Sequence, residues 1–226
     1  MNIIGILRVK NGEKYLPELF KQLNIFCERI LILDNQSTDR TVEIAKTLGA
    51  EIQLNTKISL HEGRDRILLH KWAGQYKPDW IFAPEVNDLL EEGGPDRIKG
   101  MSTGAEMIGL EAFQSPYLYL WGDNVHYRVD GSYRSLAIRL FKYFPDLYPP
   151  NRMTNSSAIA EEIVGHGRFC RSEIRIFNSS LMTPELRLEK YDYYRKNHPP
   201  DFDNFNRSLK NDYDHILGRN AEIEKI

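Results

Sequence analysis

Ile30-Leu31-Ile32-Leu33-Asp34-Asn35-Gln36-Ser37-Thr38-Asp39 is the stretch that decides the fold. Four bulky apolar residues in a row suit a strand covered on both faces, as in a parallel sheet. Polar turn formers follow at once, and Thr41–Leu48 then repeats at helical spacing, with Asp39 as candidate N-cap and Gly49 as the stop. On the N-terminal side, Ile3–Leu7 is a short strand. Glu13–Phe26 sets Leu16, Leu19, Phe20, Leu23 and Phe26 on one helical face, and Pro17 falls in the first turn, where proline is tolerated. On the C-terminal side, Glu51–Leu54 reads as a third strand and Trp80–Ala83 as a fourth. Between them Arg64–Tyr76 is helical, with Ile67, Leu68, Trp72 and Tyr76 inward. Such alternation predicts an α/β fold whose parallel strands are joined by right-handed crossovers. Ligands of these sheets bind beyond the C-terminal strand ends, so the residues after each strand matter most.

After Pro95 the pattern changes. Met107–Phe113, Tyr117–Trp121, Leu136–Phe141 and Ile174–Phe177 read as strands between turn residues, and Pro184–Lys196 as a polar helix. The tail from His198 is rich in Asp and Asn. No repeat or low-complexity linker breaks the 226 residues, which predicts one domain, 1–183, with a helical extension over 184–226. Within that domain, 1–95 is the nucleotide-binding half and 96–183 the acceptor-side half. Thirty basic residues against 32 acidic ones give a net charge of −2, which argues against nucleic acid or an anionic membrane as main partner. No apolar run approaches the ~20 residues of a membrane span. Arg8 and Lys10 interrupt Ile3–Leu7 too early for a signal peptide. Cys27 and Cys170 have no metal-ligand spacing and read as buried thiols of a cytoplasmic protein.

Read together, the first strand end Arg8-Val9-Lys10-Asn11-Gly12-Glu13-Lys14-Tyr15-Leu16 and the stretch from Ile30 to Ala45 resemble a family 2 glycosyltransferase of GT-A fold. The resemblance extends over roughly the first hundred residues and is to enzymes that build bacterial surface polysaccharide and lipopolysaccharide. It implies a GT-A Rossmann-like, mixed but mainly parallel sheet flanked by helices. It also implies a nucleoside diphosphate sugar as donor, a uridine diphosphate sugar first, with Arg8, Lys10, Asn11, Asp34, Arg64 and Asp65 gripping the nucleotide. The acceptor would be a glycan or a lipid-linked glycan, and a homo-oligomer would be compatible with the family.

Family members carry an Asp-x-Asp motif after the fourth strand, whose carboxylates hold Mn²⁺ or Mg²⁺ against the donor diphosphate. Asp79-Trp80-Ile81-Phe82-Ala83-Pro84-Glu85-Val86-Asn87-Asp88 keeps the register but puts Glu85, Asn87 and Asp88 at the acidic positions. Asn87 removes a charge and Glu85 moves its oxygens by a methylene, which predicts weaker metal affinity. Asn178 stands where a late-strand histidine would approach the metal. Glu162, in Ala160-Glu161-Glu162-Ile163-Val164, corresponds to the base that takes the acceptor proton in an inverting transfer, and a solvated acidic pair is the other reading of these residues. Three altered metal positions also leave open a degenerate relative that binds nucleotide or glycan without turnover. A nucleotidyltransferase fits less well, because Arg8–Lys14 holds a single glycine.

His61, His70, His126, His166, His198 and His215 lack ligand-like spacing. The aromatics Tyr117, Tyr119, Trp121, Tyr127 and Tyr133 suit strand packing, with Trp121 as the candidate sugar platform. Arg168 and Arg171 are two further arginines that could meet a phosphate.

Overall fold

In the computed structural model, residues 1–57, 61–130, 135–153, 156–197 and 221–226 are described, without the side chains of 193–197. Tyr133, His198 and His215 lie outside the described residues. The chain divides into two compact units, Met1–Pro116 with Leu136–Ile176, and Tyr117–Ser135 with Phe177–Ile226.

The first unit opens with β1 (Ile3–Val9), α1 (Leu16–Phe26), β2 (Arg29–Asp34), α2 (Thr41–Thr47), β3 (Glu51–Leu54), α3 (Glu62–Gly74) and β4 (Trp80–Phe82). It continues through β5 (Asp88–Leu90), α4 (Gly94–Ile108) and β6 (Ala112–Tyr119). After β7 (His126–Arg128) of the second unit come β8 (Ser135–Lys142), α5 (Glu161–Gly165), β9 (Phe169–Arg171) and β10 (Ile176–Asn178). The sheet runs β3-β2-β1-β4-β8-β6-β10-β5, with β9 beside β6; β6 and β10 carry the chain from one unit into the other. β3, β2, β1 and β4 are mutually parallel, and β8 is antiparallel to β4. The sheet is therefore mixed, with the parallel block that the sequence predicts.

Both faces of that block are covered, which is why β1 and β2 are continuous apolar runs. On one face Ile4, Ile6, Leu31 and Leu33 meet Leu69, Trp72 and Ala73 of α3, together with Ala158–Ala160 and Ile163. On the other, α1 packs against α4 and buries Leu16, Leu19, Phe20, Leu23 and Phe26, and Phe26 meets Phe82 edge-on at 5.1 Å. Each such side chain contributes about 1.5–3 kcal/mol on burial.

The expectations for α3 and α4 need correction. The strand expected over Met107–Phe113 begins only at Ala112: Met107 and Ile108 end α4, 84% and 73% exposed, and Gly109 stops the helix at φ 72°. The helix was hidden by Gly94, Gly100 and Gly104, poor helix formers. Pro95 in its first turn and the spacing of Ile98, Ser102 and Ala105 sustain it. In α3 the inward face includes Asp65, Arg66, Leu69, His70, Trp72 and Ala73, whereas Leu68 is exposed. An apolar template rotated this helix wrongly because part of its buried face is polar.

The second unit holds the end of β6, β7, α6 (Pro184–Asn197) and β11 (Ile223–Lys225), which pairs antiparallel with β7. Trp121 is 9% exposed and lies under two guanidiniums, Arg187 at 4.1 Å and Arg128 at 4.9 Å. Its ring is a packing element and offers no open face to a sugar. Among the described residues no helix is long and apolar enough to cross a membrane.

Gly63, in the first turn of α3, touches a distant piece of backbone. A Cβ there would lie 2.3 Å from the Pro150 oxygen and 2.4 Å from the Arg152 nitrogen. Gly63→Ala is therefore expected to lower stability by about 1–3 kcal/mol in urea denaturation. Gly100→Ala, inside α4 with open space around it, should instead gain up to about 1 kcal/mol.

Candidate functional site at the strand ends

The loops after β1 and β2 are laced together. Asn11, at φ 52°, donates its N–H to Ser37 Oγ at 2.9 Å and accepts from the Thr38 N–H at 2.8 Å. The Gly12 N–H reaches Thr41 Oγ1 at 2.7 Å, and the Glu13 N–H reaches Asp39 Oδ2 at 3.2 Å. Asp39 also accepts from the Thr41 N–H at 3.0 Å, so it serves the start of α2 from just outside the helix. Asn11 thus holds a turn, while Lys10 stays exposed beside it.

Asp34 ends β2 and is buried. Oδ2 accepts the Ser37 N–H at 3.0 Å, whereas Oδ1 is buried with no partner among the described residues. An orphaned buried acceptor costs about 1–3 kcal/mol, so this oxygen is primed for a donor. The Asn55 N–H donates to the Asp34 carbonyl at 2.8 Å, and Asn55 also meets Asp65, which is only 1% exposed. Arg64 Nη2 and Nε donate to its Oδ1 at 2.8 and 3.0 Å, and Asn55 Nδ2 donates to the same oxygen at 3.0 Å. Arg8 Nε and Asn35 Nδ2 reach Oδ2, each at 3.4 Å. The structure therefore brings Arg8, Arg64 and Asp65 together, with Asn35 and Asn55 as members that sequence patterns did not single out. Their signal was weak, because an asparagine after a strand is an ordinary turn residue.

At the end of β4, Glu85 and Asp88 meet arginines. Arg66 Nη2 donates to Glu85 Oε1 at 2.8 Å, and Arg139 Nη1 lies 3.8 Å from the same oxygen. Arg139 Nε donates to Asp88 Oδ2 at 3.0 Å, an oxygen that also accepts the Glu85 N–H at 2.9 Å. Asp88 is buried, and Asn87 is half-buried beside it. Neither arginine could be assigned from sequence, since both are remote along the chain. These residues do not fit a divalent cation: the carboxylates are already compensated by guanidiniums, and no group of three His, Cys, Asp or Glu side chains suited to a metal occurs among the described residues. In the second unit Asn178 donates to the Tyr117 hydroxyl at 2.8 Å and accepts from the Ser180 N–H at 3.1 Å, so its amide is occupied.

Glu162 is exposed on α5, and its carboxylate makes no bond among the described residues; neighbouring Glu161 pairs with Arg152. Arg168 pairs with Glu111, which also meets His166 Nδ1 at 2.7 Å. His61 accepts the Arg64 N–H and so caps α3. His70 is buried against Tyr143, with ring centroids 4.7 Å apart.

No family model matches the chain. An uncharacterised protein of Mycobacterium tuberculosis and one of Mycobacterium bovis are each 23% identical to it over 211 residues, or 88% of this chain. The chain spans about half the length of these relatives. Among solved structures, S. aureus TarS 1–349 superposes with a TM-score of 0.57 at 15% identity, covering 96% of this chain and 69% of that one. The same protein in complex with UDP gives 0.56 at 15% identity, covering 96% and 70%. The fold is that of the GT-A glycosyltransferases.

Glu85 and His70 are two of the groups that contribute to the acid response. Burial raises the Glu85 carboxyl, but Arg66, Arg139 and Arg8 outweigh it and hold the group at about 2, below its ordinary 4.5. Burial lowers the His70 imidazole from 6.5 to about 4. In both cases the unfolded chain binds the proton more readily than the folded one. Each contribution is thus whole above the ordinary value and lost as pH falls through the folded one. Stability should decline in two overlapping stages, pH 6.5 to 4 and then 4.5 to 2. In urea midpoints measured against pH, His70→Gln should flatten the first stage and Glu85→Gln the second.

Proposed function

We propose that this chain transfers a sugar from a nucleoside diphosphate sugar, a uridine diphosphate sugar first, to a hydroxyl of a glycan or lipid-linked acceptor. The observation that carries the reading is the unpartnered Asp34 oxygen at a C-terminal strand end of a GT-A fold. An acceptor oxygen held there suits a ribose hydroxyl or the N–H of a pyrimidine. Arg8, Arg64 and Asp65 shape the wall next to it, and Lys10 and Asn11 rim it. The fold match to a TarS structure in complex with UDP supports uridine as the base.

In the reaction, the acceptor oxygen bonds to the anomeric carbon while the bond to the diphosphate breaks, and the nucleoside diphosphate leaves with that electron pair. Glu162 takes the acceptor proton: it is exposed, and its carboxylate has no partner among the described residues. Attack from the face opposite the departing diphosphate inverts the anomeric centre. The membership is in family 2, and the setting is cytoplasmic.

The arginine-compensated Glu85 and Asp88 favour a second reading, a relative that binds the nucleotide without turnover. Calorimetric titration with a panel of nucleoside diphosphates, with and without Mn²⁺, separates the possibilities. UDP should bind, and Asp34→Ala should weaken it by on the order of tenfold or more. Failure of every nucleotide in both buffers would end the donor reading. Donor hydrolysis or transfer that Glu162→Gln slows by about 10²–10⁴-fold supports the enzyme; tight binding with no turnover supports the binder.

A further inference from the structure

We propose that the turn after β4 handles the donor diphosphate without a divalent cation: Arg66 and Arg139 supply the positive charge, and Glu85 is a resident anion that the diphosphate displaces. The inference rests on the nucleotide-sugar reading and gives the residues at the family's metal position a different task.

The two carboxylates are held differently. Asp88 is buried and is fixed by both the Glu85 N–H and Arg139 Nε. Glu85 keeps 36% of its side chain exposed, and its Oε1 leans on Arg66 at 2.8 Å with Arg139 at 3.8 Å. Asp88 is part of the turn, whereas Glu85 can swing out without breaking it. Beneath Glu85 lies a second observation that points to an anion. Arg66 is buried, and its Nε has no partner among the described residues. A guanidinium offers Nε and Nη2 as a fork, and here one prong is used and the other is idle.

Carboxylate and phosphate oxygens make the same kind of bond to that fork, so exchanging Glu85 for a phosphate keeps the bond to Nη2 and can add one to Nε. It also changes the local balance. With Glu85 in place, two guanidiniums face two carboxylates. With Glu85 displaced, the same guanidiniums face Asp88 alone and can take up phosphate charge. A divalent cation gains nothing comparable, because it would have to break two ion pairs to reach the carboxylates. Asn87 adds no charge that would draw it in.

Glu85→Gln has opposite signs under the two schemes. The test is titration of the full chain with UDP in EDTA and in Mn²⁺, with thermal melting to verify that each variant is folded. Expected are affinities in the two buffers within about threefold of each other, a gain of about tenfold in EDTA for Glu85→Gln, and a loss of similar size for Arg66→Lys. UDP binding that requires Mn²⁺, or a Glu85→Gln variant that binds more weakly, overturns the inference while the donor reading stands. Absence of nucleoside diphosphate binding in both buffers removes the donor reading and this inference together. Should Arg66→Lys fail to fold, the sign of the Glu85→Gln effect decides alone.

Discussion

The Asp65 carboxylate is the constraint on which the strand-end architecture depends. It is buried at the start of α3 and accepts from Arg8 on β1, from Asn35 after β2 and from Asn55 after β3. One side chain thus ties a helix to the ends of three parallel strands. A buried charge is tolerable only when its oxygens are saturated, and removing one member of such a set costs about 3–5 kcal/mol. The geometry of these strand ends follows from that requirement. The helix cannot rotate or slide without stranding a charge, so Arg66 and His70, one turn apart on the same helix, are fixed as well.

The two halves of the site use buried charge differently. Around Asp65 the donors outnumber the oxygens, and the result is a rigid frame. Around Glu85 a partly buried carboxylate shares its arginines with a fully buried one, and one guanidinium nitrogen is idle. The first arrangement resists change and the second is made of separable parts.

The parallel block was legible because its strands are buried on both faces and therefore unbroken in sequence, and α1 because its apolar face is complete. Asp34 could be found for the same reason, as the first polar residue after such a run. What escaped detection lies where tertiary contact overrides local signal. Helix α4 is held by a proline start and three small or apolar contacts despite its glycines. The inner face of α3 is partly polar because its partners, Asn35, Asn55 and Glu85, are polar, and no periodicity of apolar residues reports that. The arginines that answer Glu85 and Asp88 come from α3 and β8. Charge pairing across such sequence distances leaves no local mark, so the sequence could show that the metal position was altered but not what took its place.

The close approach of Gly63 to Pro150–Arg152 has a consequence for how such a protein can diversify. The Gly63 N–H also bonds the Arg152 carbonyl at 2.8 Å, the Glu62 N–H bonds that of Met153 at 2.9 Å, and the Ser156 N–H returns to Glu62 at 3.1 Å. The segment leading to α5 is therefore docked, backbone on backbone, against the same helix turn that presents Arg64 and Asp65. The two backbone–backbone bonds leave little for a side chain to adjust when either partner drifts. Exchanging residues 150–153 for a relative's residues would succeed only if the first turn of α3 travelled with them, so the two pieces form one exchangeable module.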